Sequence, residues 1–364
     1  MPKPHLHLLG LPHTITRADF SHCAFTGKVL KFAPMMRAEG YDVTHYGVEG
    51  AESGATEQVD IMTQAEQISL LGHDFSDHTK FHGDDANLGN PLYRDFNRRL
   101  SHHLGLRVQP ADIVCLTFGH GQAAAATLHP GVNVETGIGY PDTCSDFRIF
   151  ESYAWMHFHQ GKSQREGANY EWVIPNYFVA GDWPLVKTPQ DYVLFFGRIG
   201  HSKGCQVVSE LARRMPDVQF ILCGQGDATP FLTSLNIEYR PPVTGIARAK
   251  LLGNARCVLM PTQFVEPFGG VAVEAMLCGT PVLGQPHGAF TETIEHGRTG
   301  YRCRVLNDWI DGINLVGGLD RAYIAERARR LWSLEAVGPQ YSTVFQQIYD
   351  LHTGGGWYTC PSAL

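Results

Sequence analysis

Two glutamates on either side of a glycine pair are the residues best suited to chemistry. Glu266 and Glu274 are separated by seven residues, and Gly269-Gly270 stands between them at a predicted helix start. Such a start presents unpaired backbone N–H groups and the positive end of the helix dipole, which suits a diphosphate. Glycine also lets a ligand approach the backbone closely. Glu274, one turn into the helix, is placed for ribose hydroxyls, and Glu266, in the preceding loop, for the sugar.

Two cationic side chains form a second candidate group, in residues 197–204. Arg198 and Lys203 follow a predicted strand and lead into a predicted helix. They can converge on phosphates, the arginine as a planar fork and the lysine as a point charge. Ligands of open parallel sheets bind beyond the carboxyl ends of the strands, where both groups are expected. Two cations and a helix start can neutralise a departing nucleoside diphosphate without metal, and the sequence has no Asp-x-Asp pair.

The second half of the chain shows the elements that would position these residues. Apolar strands alternate with helical patterns, which predicts a parallel sheet covered on both faces. The predicted strands are residues 192–196, 218–223, 256–260 and 281–283, and the predicted helices are residues 203–215 and 270–278.

The first half is less regular. It opens with a predicted strand at residues 5–9, a polar loop to about Gly27, and a helix at residues 28–39. Residues 47–105 are polar and give no clear assignment. Further first-domain segments are predicted at residues 41–46, 113–118, 132–135 and 153–158, with an interdomain linker between 176 and 191.

The composition is that of a globular protein. A length of 364 residues suggests two domains, and 43% apolar with 18% charged residues allows a sizeable core. The net charge of −7 argues against broad electrostatic binding to nucleic acid. No apolar run predicts a membrane span. Nine scattered cysteines without a C-x-x-C pair indicate reduced thiols and a cytoplasmic protein.

The motifs resemble the nucleotide-sugar domain of GT-B glycosyltransferases, specifically the retaining family 4. The resemblance covers about a third of the chain, residues 192–301, with its pieces in family order and family spacing. It implies an α/β protein of two Rossmann-like domains facing across a cleft. Residues 1–180 would bind the acceptor and residues 181–333 the donor, with helices of about 334–364 packing back onto the first domain. The matching pieces are Gly197-Arg198, Lys203-Gly204, residues 223–226, Pro261-Thr262, residues 266–274, residues 279–282 and residues 297–301.

The resemblance also implies roles for individual residues of the donor domain. Arg198 and Lys203 would bind the diphosphate, and Glu274 the ribose. Glu266 would hold the donor sugar and its phosphates, together with the backbone amides of Phe268, Gly269 and Gly270.

Two residues of the first half correspond to further family positions. Gly27 matches the N-terminal glycine loop and would contact the donor. His120, within Phe118-Gly119-His120-Gly121, matches a histidine that family members place near the transferred sugar. The family mechanism retains the anomeric configuration by same-face attack, in which the leaving phosphate helps to deprotonate the acceptor.

The sequence therefore predicts a glycosyltransferase of the hexosyltransferase class that uses a UDP- or GDP-linked sugar, with no cofactor and no metal site. The sequence does not identify the acceptor, which can be a saccharide, a small molecule or a lipid-linked group. A nucleic-acid acceptor is less favoured, and a homo-oligomer is left open. Two alternatives remain, namely a nucleotide-sugar epimerase on the same architecture and a catalytically inactive sugar-nucleotide-binding module.

Overall fold

The computed structural model describes residues 3–21, 23–72 and 88–354. The chain divides into two compact units. Unit 1 holds the described parts of residues 1–151, 164–177 and 337–364, and unit 2 holds residues 152–163 and 178–336. Each unit is built on one parallel sheet, which confirms the predicted α/β class.

The sheet of unit 1 has seven strands, all paired in parallel. They are β1 (Leu6–Leu9), β2 (Val43–Val48), β3 (Glu57–Met62), β4 (Ile113–Leu116), β5 (Val132–Ile138), β6 (Phe147–Phe150) and β7 (Glu171–Val173). The order β3-β2-β1-β4-β5-β6-β7 reverses direction at β1. Beyond the carboxyl ends of β1 and β4, such a reversal opens a crevice in which ligands commonly bind.

In the described part of unit 1, the α-helices before β4 are α1 (Ala24–Ala38), α2 (Gln64–Leu71) and α3 (Pro91–Arg107). The face of α1 formed by Val29, Phe32 and Met36 is buried, as the helical spacing predicts. Asn90 caps α3 by accepting a hydrogen bond from the Leu92 N–H, at 2.9 Å. The helices cover a sheet whose central strands β1 and β4 are buried throughout.

The sheet of unit 2 has six parallel strands in the order β10-β9-β8-β11-β12-β13. They are β8 (Tyr192–Phe196), β9 (Gln219–Cys223), β10 (Ile237–Arg240), β11 (Cys257–Met260), β12 (Val282–Gly284) and β13 (Gly300–Arg302). The order reverses between β8 and β11, so the loops that follow these two strands meet at the carboxyl edge. Both strands are apolar and buried along their length, as strands covered on both faces must be.

The remaining described helices belong to unit 2, apart from most of the last one. They are α4 (Tyr153–Lys162), α5 (Cys205–Arg214), α6 (Gly245–Asn254), α7 (Gly270–Leu277), α8 (Phe290–Thr293), α9 (Leu306–Leu315), α10 (Arg321–Trp332) and α11 (Leu334–Thr353). Helix α11 begins in unit 2, but its residues from 337 onward belong to unit 1. There the ring of Tyr341 meets Phe32 of α1 edge-on, with 5.2 Å between centroids.

Several local predictions differ from the structure. Helix α1 begins at Ala24 rather than Lys28, so the expected loop ends earlier. Residues 47–105, for which the sequence gives no clear assignment, contain β3, α2 and most of α3, and residues 73–87 lie outside the described part of the chain. Residues 153–158, placed in the first domain, lie in α4 and cluster with unit 2. No helix in the described parts of the chain combines the length and apolar character that a membrane crossing requires.

Candidate functional site

The loop between β8 and α5 carries Arg198 and Lys203 at the carboxyl edge of the second sheet. Lys203 ends a short 3-10 turn, and Gly204 follows with a φ of +82°. A side chain at Gly204 would place its Cβ 2.0 Å from the carbonyl oxygen of Pro261, so only glycine fits. This close approach seats the β8 loop on the loop that follows β11. Arg198 is exposed in the same loop.

The close contact between these two loops places Lys203 next to Glu266. The Lys203 Nζ lies 2.9 Å from Glu266 Oε2, and the hydroxyl of Thr262 donates to the same oxygen at 3.3 Å. The Lys203 ammonium also lies 4.6 Å from the centre of the Phe264 ring. The two ion-paired side chains are 19% and 12% exposed, so the pair is partly desolvated but open to a ligand.

The start of α7 supplies backbone N–H groups next to Glu266. Gly269 caps the helix with a φ of +79°, and a Cβ there would lie 2.6 Å from the Phe290 ring. The first N–H groups of a helix have no acceptor within it, and here they belong to Gly269, Gly270 and Val271. The side chain of Phe268 is buried, so only its backbone is suited to a ligand.

Glu274 lies inside α7 and forms an ion pair with Arg248 of α6. The Arg248 guanidinium also lies over the rings of Phe196 and Trp183, at 4.8 Å and 5.9 Å from their centres. Its Nε is buried and has no hydrogen-bond partner among the described residues. The sequence does not point to Arg248, because nothing in a helix of ordinary composition indicates which residue faces Glu274.

The glycines of residues 223–226 serve a packing role. A Cβ on Gly224 would lie 1.7 Å from the carbonyl oxygen of Gly197, and one on Gly226 would lie 2.8 Å from that of Ile199. The loops after β8 and β9 therefore touch backbone to backbone, with the Ile199 N–H donating to the Gln225 carbonyl at 2.7 Å. Burial raises the pKa of the preceding Cys223 thiol to about 11, so this cysteine is neutral near pH 7.

The two candidates from the first half lie in unit 1. His120 is exposed on a 3-10 turn directly after β4, and its backbone N–H donates to the Asp142 carbonyl at 3.2 Å. Gly27 lies inside α1, and its N–H donates to the Cys23 carbonyl at 2.9 Å. The predicted loop up to Gly27 is therefore wrong, since α1 begins three residues earlier. That Gly27 contacts the donor stays a prediction.

The structure thus brings most of the predicted site together at one edge of unit 2. Lys203, Glu266, Gly269 and Gly270 gather around the β8 and β11 loops, and Glu274 is tied to Arg248 nearby. Within residues 3–21, 23–72 and 88–354, no three His, Cys, Asp or Glu side chains group as metal ligands would. This edge of the sheet can therefore bind an anion. It also carries two carboxylates, Glu266 and Glu274, each fixed in place by an ion pair.

The two α/β units with their parallel sheets have the GT-B fold, as the likeness to solved glycosyltransferase structures shows. AviGT4, a glycosyltransferase involved in avilamycin A biosynthesis, aligns over 96% of this chain and 98% of its own, with a TM-score of 0.68 at 17% identity. HepE of Anabaena, in complex with UDP and glucose, aligns over 94% and 100%, with a TM-score of 0.62 at 15% identity. At such identities the likeness establishes the fold alone.

The family follows from the sequence of unit 2. Residues 183–316 match the family described as Glycosyl transferases group 1. This part of unit 2 is therefore similar to the glycosyl transferases group 1 family, and the match covers little more than a third of the chain. The matched segment contains Arg198, Lys203, Glu266 and Glu274 and excludes Gly27 and His120.

Curated relatives match the chain over a limited length. The 2-deoxystreptamine N-acetyl-D-glucosaminyltransferase of Niallia circulans is 34% identical over 36% of this chain and 35% of its own. A D-inositol 3-phosphate glycosyltransferase of Paenarthrobacter aurescens is 35% identical over 35% of this chain and 36% of its own. The chain thus matches about a third of the length of these relatives.

Proposed function

We propose that this protein transfers a sugar from a nucleoside-diphosphate sugar to a hydroxyl group of an acceptor. The single observation that carries the proposal is the ion pair between Lys203 and Glu266 beside the start of α7. It joins a cation suited to phosphate, a carboxylate suited to a sugar, and the N–H groups of Gly269 and Gly270. The match of residues 183–316 to the glycosyl transferases group 1 family supports the same conclusion.

In this proposal, Arg198, Lys203 and the N–H groups of Gly269 and Gly270 bind the diphosphate. Lys203 already neutralises Glu266, and its ammonium has further N–H donors that can turn to a phosphate oxygen. The helix start adds its positive dipole end. These groups together offset the charge that grows on the departing diphosphate, and we therefore propose that transfer needs no metal ion.

The two carboxylates have separate roles in the proposal. Glu274 accepts hydrogen bonds from the ribose hydroxyls, oriented by its contact with Arg248. Glu266 lies by the sugar, where its two partners Lys203 and Thr262 hold it in place. A held carboxylate beside the anomeric centre favours the positive charge that the sugar ring gains in the transition state.

We further propose retention of the anomeric configuration. Support comes from the family resemblance, in which the leaving phosphate itself deprotonates the acceptor on the same face of the sugar. Glu266 is engaged by Lys203 and Thr262, which suits an electrostatic partner better than a nucleophile. No cofactor is required by this chemistry.

The acceptor is assigned by class only. We propose that unit 1 binds it, with His120 exposed beyond the carboxyl end of β4 at the crevice of the sheet. A saccharide, a small molecule or a lipid-linked hydroxyl fits this proposal, and the net charge of −7 makes a nucleic acid less favourable. The 2-deoxystreptamine and D-inositol 3-phosphate in the names of the two relatives describe those proteins and do not identify the acceptor of this one. A cytoplasmic location is supported by eight described cysteines that form no disulfide.

A donor screen tests the proposal. Thermal unfolding is followed with UDP, GDP, ADP and their sugars, because ligand binding to the folded state raises stability by mass action. One nucleoside diphosphate and its sugar are expected to raise Tm, and slow hydrolysis of that donor should persist in EDTA. A protein that none of these nucleotides stabilises would contradict the donor assignment. An isomerised sugar nucleotide in place of hydrolysis would identify an epimerase.

A further inference from the structure

A cysteine and a histidine lie against each other where β1 and α1 meet in unit 1. Cys23 is the N-cap residue of α1, a helix of 15 residues. Its Sγ lies 3.5 Å from Nε2 of His13, in the loop that follows β1. The other ring nitrogen of His13 lies 2.5 Å from the hydroxyl of Tyr93 on α3. The imidazole of His13 therefore links the thiol of α1 to the Tyr93 hydroxyl of α3.

The hydrogen bonds give His13 a defined direction. When its Nδ1–H donates to the Tyr93 hydroxyl oxygen, the lone pair of Nε2 faces the Cys23 sulfur. This is the arrangement in which an imidazole accepts the proton of a thiol. The ring of His13 is held further by Phe118, at 5.6 Å between centroids. In this tautomer His13 is oriented as a base toward the thiol, and Tyr93 is the third group that orients it.

The surroundings of Cys23 also favour the thiolate electrostatically. Burial raises the pKa of this thiol, but the hydrogen bond and charge of His13 and the contacts with Thr26 lower it more, to about 7. The N-terminus of α1 acts in the same direction. The groups that act on the thiol are His13 from the β1 loop and Thr26 from α1. Burial, together with the charge of Cys23, raises the pKa of Tyr93 on α3.

The other cysteines provide the contrast. Burial raises the pKa of Cys115, Cys205, Cys257, Cys278 and Cys303. Burial also raises the pKa of Cys144 to about 12, although Cys144 is more exposed than Cys23. Cys23 is 5% exposed to solvent, whereas Cys115 and Cys257 are fully buried. Among the eight cysteines that the structure describes, geometry and charge therefore single out Cys23.

We propose that Cys23 is a modification site at which small soft electrophiles, hydrogen peroxide first among them, react with the thiolate that His13 generates. The Sγ–H proton passes to Nε2 of His13, and the sulfur electron pair attacks one peroxide oxygen. The O–O bond breaks, and the departing hydroxide takes the proton from His13 to give water. Sulfur is oxidised to the sulfenic acid and the peroxide is reduced. Sugar transfer plays no part in this reaction.

Alkylation of the folded full-length chain tests the proposal. Iodoacetamide is added at pH values from 5.5 to 9.5, and peptide mass spectrometry follows Cys23 and Cys144 separately. The Cys23 rate should reach half its maximum near pH 7, and at pH 7 it should exceed the Cys144 rate by at least about tenfold. Peroxide followed by dimedone should place the adduct on Cys23. Slower labelling of Cys23 than of Cys144, or a rate that rises only above pH 8.5, overturns the proposal.

Variants separate the role of His13 from packing. His13→Gln should raise the midpoint of the Cys23 profile by more than about one pH unit, because the proton acceptor is gone. Tyr93→Phe keeps the ring and removes the hydroxyl, and a smaller shift in the same direction is expected. His102→Gln, an exposed change on α3, is the control and should shift nothing. An unchanged midpoint in a folded His13→Gln protein contradicts the assignment, and if that variant fails to fold, the Tyr93→Phe profile decides.

Discussion

Lys203 and Glu266 form an ion pair across two loops, with 2.9 Å between Nζ and Oε2. Lys203 belongs to the loop after β8, and Glu266 to the loop after β11. The strands are neighbours in the sheet, so the fold itself brings the pair together at the point where the strand order reverses. In the proposed function, this pair couples the subsite for phosphate to the subsite for the sugar. Changes at either residue should therefore affect both.

The two carboxylates should differ in their kinetic effects. Glu274→Gln should raise the donor KM with little change in kcat, because a ribose contact is about equal in the ground and transition states. Glu266→Gln should lower kcat by roughly 10²–10³-fold, because its contact strengthens as charge develops. Steady-state hydrolysis of the donor, with donor concentration varied, measures both constants. The reverse pattern would show that sugar and ribose are assigned to the wrong carboxylates.

Arg248 should act through Glu274. Arg248→Met removes the charge that faces the carboxylate, so Glu274 loses its orientation and the donor KM should rise. The double variant Arg248→Met/Glu274→Gln should cost less than the sum of the single changes, with a coupling of about 0.5–3 kcal/mol. Lys250→Met, an exposed change on the same helix, is the matched control. If the effects of the two single changes on donor affinity simply add in the double variant, Arg248 does not act through Glu274.

Two glycines of the same loop should respond differently to alanine. Gly204→Ala places a Cβ against the Pro261 carbonyl at a φ of +82°, and should lower the free energy of unfolding by about 1–3 kcal/mol or more. Gly200→Ala should stay within about 0.5 kcal/mol, because its φ of 167° is extended and nothing lies near the added atom. Urea unfolding of both variants checks this. Equal stability would mean that the β8 loop does not rest on Pro261.

Stability should fall as the pH drops from about 6.5 toward 4. Burial lowers the pKa of His7 and of His45 to about 4, whereas unfolded histidine titrates near ~6.5. In this window the unfolded chain binds more protons, so each histidine should remove up to about 3 kcal/mol of stability at the acid end. Urea midpoints at pH 7.5, 6.5, 5.5 and 4.5 measure the loss. His45→Gln should flatten the curve and His102→Gln should not, and a flat wild-type curve from pH 7 to 5 would refute the assignment.

Sequence alone predicts much of unit 2, for physical reasons. Strand β8 is predicted at residues 192–196 and found there, because a buried parallel strand is a short apolar run between polar segments. Glu266 and Glu274 are close in sequence, so the loop and helix that carry them can be predicted from the glycine pair between them. Arg248 could not be found in this way, since its contact with Glu274 depends on how α6 packs beside α7.

Unit 1 shows the opposite case. The sequence predicts that helix α1 begins after Gly27, because the helical spacing of apolar residues starts there. Instead, Cys23 caps the helix and Gly27 lies within its first turns. A cysteine is a rare cap, so the sequence pattern did not indicate it. The meeting of Cys23 with His13 and Tyr93 is likewise a product of tertiary packing.

Calorimetric titration of a nucleoside diphosphate tests the central claim most directly. The nucleotide identified in the thermal screen is titrated into the wild type, the Arg198→Ala/Lys203→Met variant and the Lys250→Met control. Each lost charge-assisted contact should weaken binding by ~1.5–3 kcal/mol, so the double variant should bind at least about tenfold more weakly while the control binds like the wild type. Equal affinity in all three proteins would contradict the account, because the diphosphate would then bind away from the loop that carries Arg198 and Lys203.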